Sequence, residues 1–179
     1  LIEQCHDSLA RQTYRQFRVV VVDNGSDDET DAVLKRARVM FPFEVIRMER
    51  NVGFACAVNR GIDEALRGNA DYLFILNNDT RLAPDSLEQL VQGIERHPDA
   101  SAVQPSILNA FYPDRIDSTG IVITSDFSAM NANQSVPVVT LPQTDFEILG
   151  PTGCAPLYRR EIVEQMIAMQ SACFDGDYF

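Results

Sequence analysis

Phe17-Arg18-Val19-Val20-Val21-Val22-Asp23, followed by Asn24-Gly25-Ser26-Asp27-Asp28, decides how the chain reads. Four successive valines with no polar alternation predict a strand buried on both faces, as in a parallel sheet. The acidic turn after it ends the strand, and Ser26 or Asp27 is placed to cap a following helix. That helix is expected to run to about Met40, with Pro42 marking the break. Phe43 to Glu49 reads as a second strand.

Working outward, the same rhythm repeats. Residues 1–11 carry Ile2, Cys5 and Leu9 at helical spacing and predict a helix ending near Gln12. Asn51-Val52-Gly53 opens another helix, with Val58, Ile62, Ala65 and Leu66 on one face and Gly68-Asn69 at its close. Asp71 to Leu76 reads as a third buried strand and ends in Asn77-Asn78-Asp79-Thr80. Pro84 precedes a helix with Leu87, Leu90, Val91 and Ile94 at i, i+3, i+4 and i+7, closed by His97-Pro98. Ala102 to Gln104 is a short strand. Strands alternating with helices predict a doubly wound, mostly parallel α/β sheet. From Ile107 to Leu149 the pattern changes to a smaller mixed β region, with β-rich pieces at Ile121–Thr124, Val136–Thr140 and Phe146–Leu149. Arg159 to Met169 is a last helix.

Composition bounds the function. The 179 residues suit one domain with a core, at 45% hydrophobic and 23% charged. The net charge of −11 argues against broad nucleic-acid binding, which needs clustered Lys and Arg. It does not exclude an anionic nucleotide, because helix N-termini, backbone N–H groups and a metal supply local positive potential. Cys5, Cys56, Cys154 and Cys173 lack CxxC spacing and make no metal set with His6 and His97. They read as reduced, mostly buried thiols in a reducing compartment. No apolar run reaches transmembrane length and no signal peptide opens the chain, which begins at Leu1 rather than Met.

Ligands of open α/β sheets bind beyond the carboxyl ends of the strands. Two polar turns fall there: Asp23-Asn24-Gly25-Ser26, and Asn77-Asn78-Asp79. The first is also readable as an Asn-Gly turn with a helix cap, the second as an Asx turn. A carboxylate in the second suits Mg²⁺ or Mn²⁺, which take one or two protein carboxylates while a ligand diphosphate supplies further oxygens. A carboxylate in the first is suited to accept the N3–H of a pyrimidine. Asn51-x-Gly53 and Asn59-x-Gly61 flank the start of one helix; Gly53 lets backbone approach a ligand, or merely punctuates the helix. Gly150-Pro151-Thr152-Gly153-Cys154-Ala155 is a tight loop suited to the wall of a sugar or acceptor pocket, or a connector.

These stretches, in this order, resemble the family 2 glycosyltransferases with a GT-A fold, especially a rhamnosyltransferase-like branch of bacterial polysaccharide synthesis. The residues that carry the likeness are Val22-Asp23-Asn24-Gly25-Ser26-x-Asp28, Asn51-Val52-Gly53-Phe54-Ala55-x-Ala57-x-Asn59-x-Gly61, and Leu76-Asn77-Asn78-Asp79-Thr80 with Pro84. Pro98-Asp99, Ile116-Asp117-Ser118-x-Gly120, the loop 150–155 and Phe174-Asp175-x-Asp177-Tyr178-Phe179 follow. The resemblance implies a single, incomplete GT-A domain over 1–179, with a nucleotide-binding half (1–105) and a donor-sugar and acceptor half (106–179). It implies an inverting, metal-dependent hexosyl transfer from a dTDP- or UDP-linked sugar to a glycan or lipid-linked acceptor. It assigns Asp23, Asn24, Ser26, Asn51, Gly53, Asn59, Asn77 and Asn78 to the nucleotide. Asp79 takes the metal, and Thr152, Gly153 and Cys154 face the donor sugar or acceptor. Asn77 stands where a DxD motif has its first Asp.

Two departures from the family pattern shape the expectation. The family's first strand, normally between 19–23 and 71–76, is not found, and the catalytic base is expected beyond Phe179 rather than at Asp175 or Asp177. A fragment without its base is expected to be weak or inactive, since loss of a general base costs about 10²–10⁴-fold. A non-catalytic nucleotide-sugar-binding or scaffold domain is the alternative. The resemblance implies a cytoplasmic location at the inner face of the membrane, compatible with peripheral association through further segments. Nucleotidyltransfer is disfavoured by the acidic turn at 23–28, and hydride transfer by the lack of GxGxxG after a strand.

Overall fold

A computed structural model describes residues 2–26, 30–37 and 42–177. They form two compact units. The first comprises 1–73, 78–87 and 158–179, and the second 74–77 and 88–157.

In the first unit, helix α1 (Ile2–Ala10) buries Cys5, His6, Ser8 and Leu9. Strand β1 (Val20–Asp23) lies parallel to β2 (Glu44–Arg47), in the register Val20↔Glu44 to Asp23↔Arg47. Helix α2 (Thr30–Ala37) lies between them in sequence. Leu34, Ala37 and Phe43 form a buried cluster, with Ile2, Val19, Val21 and Val45 packed against it. Helix α3 (Phe54–Leu66) packs on β1, where a Cβ added at Gly61 would come within 3.1 Å of Val22. Helices thus cover alternate valines, as a βαβ unit requires. The valines are nevertheless only half-buried, a correction to the expected strand buried on both faces. Among the described residues this sheet has two strands, β1 and β2. Asp27 and residues 38–40, expected in a cap and in α2, lie outside the described residues.

Gln12, expected only as a helix end, is fully buried. Its Nε2 donates to the carbonyls of Ser8 (3.0 Å) and Ala83 (2.8 Å), and its Oε1 accepts the N–H of Leu87 (3.0 Å). One amide therefore closes α1 and satisfies an otherwise orphaned donor at the start of helix α4 (Ser86–Arg96). At the end of α3, Gly68 donates to Ala65 O, but its φ is not in the left-handed region. The orphan carbonyls there are met instead by the guanidinium of Arg160, which donates to Leu66 O (2.8 Å) and Gly68 O (2.7 Å). Arg160 opens helix α5 (Arg160–Gln170).

Strands β3 (Tyr72–Phe74), β4 (Ala102–Val103) and β9 (Leu157–Arg159) make a three-stranded sheet in the order β3-β9-β4. Beyond β3, Ile75 N–H meets Pro156 O and Asn77 N–H meets Cys154 O, both at 3.0 Å, in descending, antiparallel register. Two small antiparallel pairs follow: β5 (Ile107–Leu108) with β6 (Ile116–Ser118), and β7 (Ile121–Ile123) with β8 (Ala129–Asn131). Within Ile116-Asp117-Ser118-x-Gly120, the Ser118 hydroxyl donates to Gly120 O (2.9 Å) and accepts Gly120 N–H (3.0 Å). Two expected β pieces are corrected. Val138–Thr140 is a 3₁₀ turn that starts after Pro137, and residues 146–149 form no strand. No described helix is long and apolar enough to cross a membrane. None of the four cysteines is in a disulfide; Cys5 and Cys173 are buried, whereas Cys56 and Cys154 are half-buried.

Candidate functional site

The turn after β1 is built on a buried carboxylate. The Asp23 side chain is 1% exposed, with Arg47 Nε 3.2 Å from its Oδ2. Its Oδ1 accepts the N–H of Ser26 at 3.0 Å. The Ser26 amide therefore serves the turn, bonded three residues back to the Asp23 carboxylate. Arg47 stands opposite Asp23 in the parallel ladder, so strand register delivers the counter-charge. The same guanidinium reaches Asp31 in the first turn of α2, donating from Nη1 to Oδ2 at 3.0 Å and from Nη2 to Oδ1. That pairing holds the Asp31 carboxyl below its usual range and raises Arg47. Sequence reasoning passed over Arg47, because nothing local to residue 47 announces its register partner.

Asn24 joins this turn to the one that opens α3. Its Nδ2 donates to Asn51 Oδ1 (3.0 Å) and Gly53 O (3.1 Å), and its Oδ1 accepts Val52 N–H (3.0 Å). Asn51 Oδ1 also accepts Gly53 N–H at 2.9 Å. The backbones approach so closely that a Cβ at Gly25, whose φ is 75°, would lie 2.4 Å from the Arg50 carbonyl carbon. Gly53 has φ 83° and precedes the first turn of α3 without a side-chain cap. Asp23 with Ser26, and Asn24 with Asn51 and Gly53, thus form two adjoining hydrogen-bonded sets at the carboxyl ends of β1 and β2, where open α/β sheets take ligands. Asn51 lies exposed at their rim.

Asn59 sits one and a half turns further along α3, and its head group is engaged elsewhere. It donates to Phe174 O (2.7 Å) and accepts Phe174 N–H (2.9 Å). Asn78 and Asp79 occupy an exposed turn after β3. In the second unit, the Asn77 N–H is held by Cys154 O. Thr152 donates from N–H (2.6 Å) and Oγ1 (3.3 Å) to Gln104 Oε1, and Gly150 O accepts Ile121 N–H (2.8 Å). Thr152, Gly153 and Cys154 are half-buried in a loop stitched at three points.

Among the described residues no group of three His, Cys, Asp or Glu side chains is placed to hold a metal. Asp79 offers a single exposed carboxylate. That donor set does not make a protein cage. It fits a hard divalent cation whose other ligands are phosphate and water oxygens. Burial pushes the Tyr158 hydroxyl up to about 12 and raises the Cys173 thiol, so neither group is a base at neutral pH.

The chain is similar in sequence and in fold to known proteins. The profile of Glycosyl transferase family 2 matches residues 1–167. A putative glycosyltransferase, EpsH, from Bacillus subtilis is 26% identical over 164 residues, 91% of this chain and 44% of its own. The amylovoran biosynthesis glycosyltransferase AmsE of Erwinia amylovora is 28% identical over 99 residues, 55% of this chain and 36% of its own. This chain spans less than half the length of such relatives. In structure it is similar to the mannosyltransferase PcManGT from Pyrobaculum calidifontis in complex with GDP-Man and Mn²⁺. The TM-score is 0.59 at 20% identity, over 92% of this chain and 42% of that one. S. aureus TarS in complex with UDP matches at TM-score 0.50 and 23% identity, over 57% of this chain and 30% of that one. Such likeness shows the GT-A type of fold, and with the match over 1–167 it places the chain in glycosyltransferase family 2.

Proposed function

We propose that the protein transfers a sugar from a nucleotide-diphosphate sugar to a glycan or lipid-linked acceptor, with inversion, in bacterial cell-surface polysaccharide synthesis. The observation that carries this is the cluster at the ends of β1 and β2. There a buried Asp23 is neutralised by Arg47, and Asn24 ties its turn to the Asn51–Gly53 turn.

In this reading Asp23 keeps a carboxylate lone pair for the base, and Asn24, Ser26, Asn51 and Gly53 shape the wall against which the nucleoside lies. Asn77 and Asn78 contact ribose or phosphate. Asp79 holds Mg²⁺ or Mn²⁺, which when bound neutralises the diphosphate as a leaving group. Thr152, Gly153 and Cys154 face the donor sugar or acceptor, with Gln104 holding Thr152 in place. Residues 1–105 would be the nucleotide half and 106–179 the sugar and acceptor half. The GDP-Man and Mn²⁺ bound by PcManGT and the UDP bound by TarS support a nucleotide-sugar donor. A thymidine-linked rhamnose is the donor proposed from the motif likeness, with uridine-linked sugars next. The site would act at the cytoplasmic face of the membrane.

The test is Asp79→Ala in the full-length protein. Nucleotide-diphosphate affinity in Mn²⁺ should fall by about 10–100-fold and become insensitive to EDTA. Affinity that stays metal-dependent would remove Asp79 from the metal.

A further inference from the structure

Asn59 belongs to the motif that carries the family likeness, yet its amide is turned away from the Asn24–Asn51 cluster and onto a distant backbone. It holds both polar groups of one residue, Phe174, 115 positions away: N–H into Oδ1 at 2.9 Å, and C=O from Nδ2 at 2.7 Å. A side chain with one donor and one acceptor is needed for this. The paired bonds fix the peptide's orientation as well as its position.

Two more residues of α3 hold the same segment. The Phe54 ring meets Phe174 edge-on at 6.3 Å. The Cys56 thiol faces Gly176 O at 3.7 Å, and a Cβ at Gly176 would lie 3.0 Å from that sulfur. The segment also leaves α5 under control. Ser171 takes a left-handed φ of 69° with its N–H on Ile167 O, Gln170 donates to Cys173 O, and the Cys173 side chain is buried. The result is a strap, 171–177, whose exposed residues include Asp175 and Asp177. Beside the strap is a hollow of about 230 Å³ lined by Gln170, Ala172, Phe174, Asp175 and Gly176.

The same helix carries the nucleotide-side turn at its start. Gly53 is bonded into the Asn24–Asn51 cluster, and six residues of helix set Asn59 about 9 Å further along. One rigid element therefore holds both the turn proposed for the donor nucleotide and an acidic strap.

We propose that Asn59 is a positioning residue for sugar transfer. It locks the strap 174–177 to α3 so that Asp175 and Asp177 keep a fixed offset from the nucleotide turn, and it does not itself bind the nucleotide. This rests on the glycosyltransferase reading above. Transfer is sensitive to such an offset, because a misplacement of about 1 Å can cost on the order of 10²-fold in rate.

The experiment compares the full-length protein with Asn59→Ala and, separately, Gly176→Ala, whose added Cβ would crowd the Cys56 sulfur at 3.0 Å without touching Asn59. Three quantities are measured: the Kd for the nucleoside diphosphate in Mn²⁺, kcat for transfer, and amide hydrogen exchange over 173–177. The expected result for both variants is a kcat lower by about 10–10²-fold, a Kd within about threefold of the parent, and faster exchange confined to the strap. A Kd that weakens in step with kcat in Asn59→Ala would make Asn59 a donor contact and overturn the proposal. So would faster strap exchange with an unchanged kcat. Should Asn59→Ala not fold, Gly176→Ala carries the same decision. Failure of the unaltered protein to bind any nucleotide would strike the underlying reading, and is seen before any variant is made.

Discussion

The cluster of turns after β1 and β2 and the stretch from 107 to 149 are both built of short polar segments, yet they are held in different ways. In the first, Asn24 reaches 27 to 29 residues along the chain to bond Asn51, Val52 and Gly53. In the second, much of the side-chain bonding is local. Asn109 holds Phe111 and Tyr112, Ser118 holds Gly120, and Thr124 pairs with Asp126. The first is closed so tightly that Gly25 admits no Cβ. The second leaves Phe111 88%, Phe127 90% and Val139 89% exposed. Long-range closure admits few residue types at each position, whereas local closure tolerates many.

That contrast breaks most readily at Gly25. Gly25→Ala places a Cβ within 2.6 Å of three backbone atoms, at φ 75°, and should cost about 3 kcal/mol in chemical denaturation. A loss below about 0.5 kcal/mol, the range of an ordinary surface change, would mean the turns are not tightly closed.

A smaller effect comes from α1, in the same unit as the first cluster. Burial of His6, whose ring meets Phe43 edge-on at 4.8 Å, lowers its pKa below 6.5 despite the opposing charge of Asp7. The unfolded chain then binds a proton that the folded chain refuses. The His6 contribution to stability is full above about pH 6.5, falls as pH drops below it, and levels off once the folded imidazole itself protonates. Urea midpoints at several pH values should show this slope, and His6→Gln should flatten it. Equal slopes in both proteins would contradict the buried neutral imidazole.

The smallest effect is expected in the second region, with the opposite sign. Phe127 is an aromatic residue at φ 63° in the turn between β7 and β8, and makes little use of its ring. Phe127→Gly should leave stability unchanged or raise it by up to about 1 kcal/mol. A loss comparable to that of Gly25→Ala would erase the distinction between the regions.

The same contrast explains what was legible. The valine run ended by Asp23-Asn24-Gly25 announced β1 and its turn, and helical spacing announced α1, α3 and α4. Strands β5, β6 and β8 have two or three residues each, too few for a period-2 pattern, and every residue of β8 is exposed. The β-branched run at Val138–Thr140 suggested a strand, but Val138 N–H bonds Asp114 O and Leu141 N–H bonds Val138 O, which closes a 3₁₀ turn. In the candidate site, residues at strand ends were legible because an acidic turn after an apolar run has a place in an α/β sheet. Arg47, Gln104 and the Asn59–Phe174 clamp were not. Each depends on register or on contacts across 24 to 115 residues, which no local pattern encodes. The three half-buried valines of β1 show the same limit, since their exposure depends on sheet neighbours.

The central claim is a nucleotide-diphosphate site completed by a divalent cation. Its most direct test is calorimetric titration of UDP, dTDP and GDP into the full-length protein, each with Mn²⁺ and with EDTA. The account predicts that at least one binds in Mn²⁺ and is lost in EDTA, and the preferred base names the donor class. A folded protein that binds none of the three in Mn²⁺ would contradict it and leave a family 2 domain that serves as a scaffold.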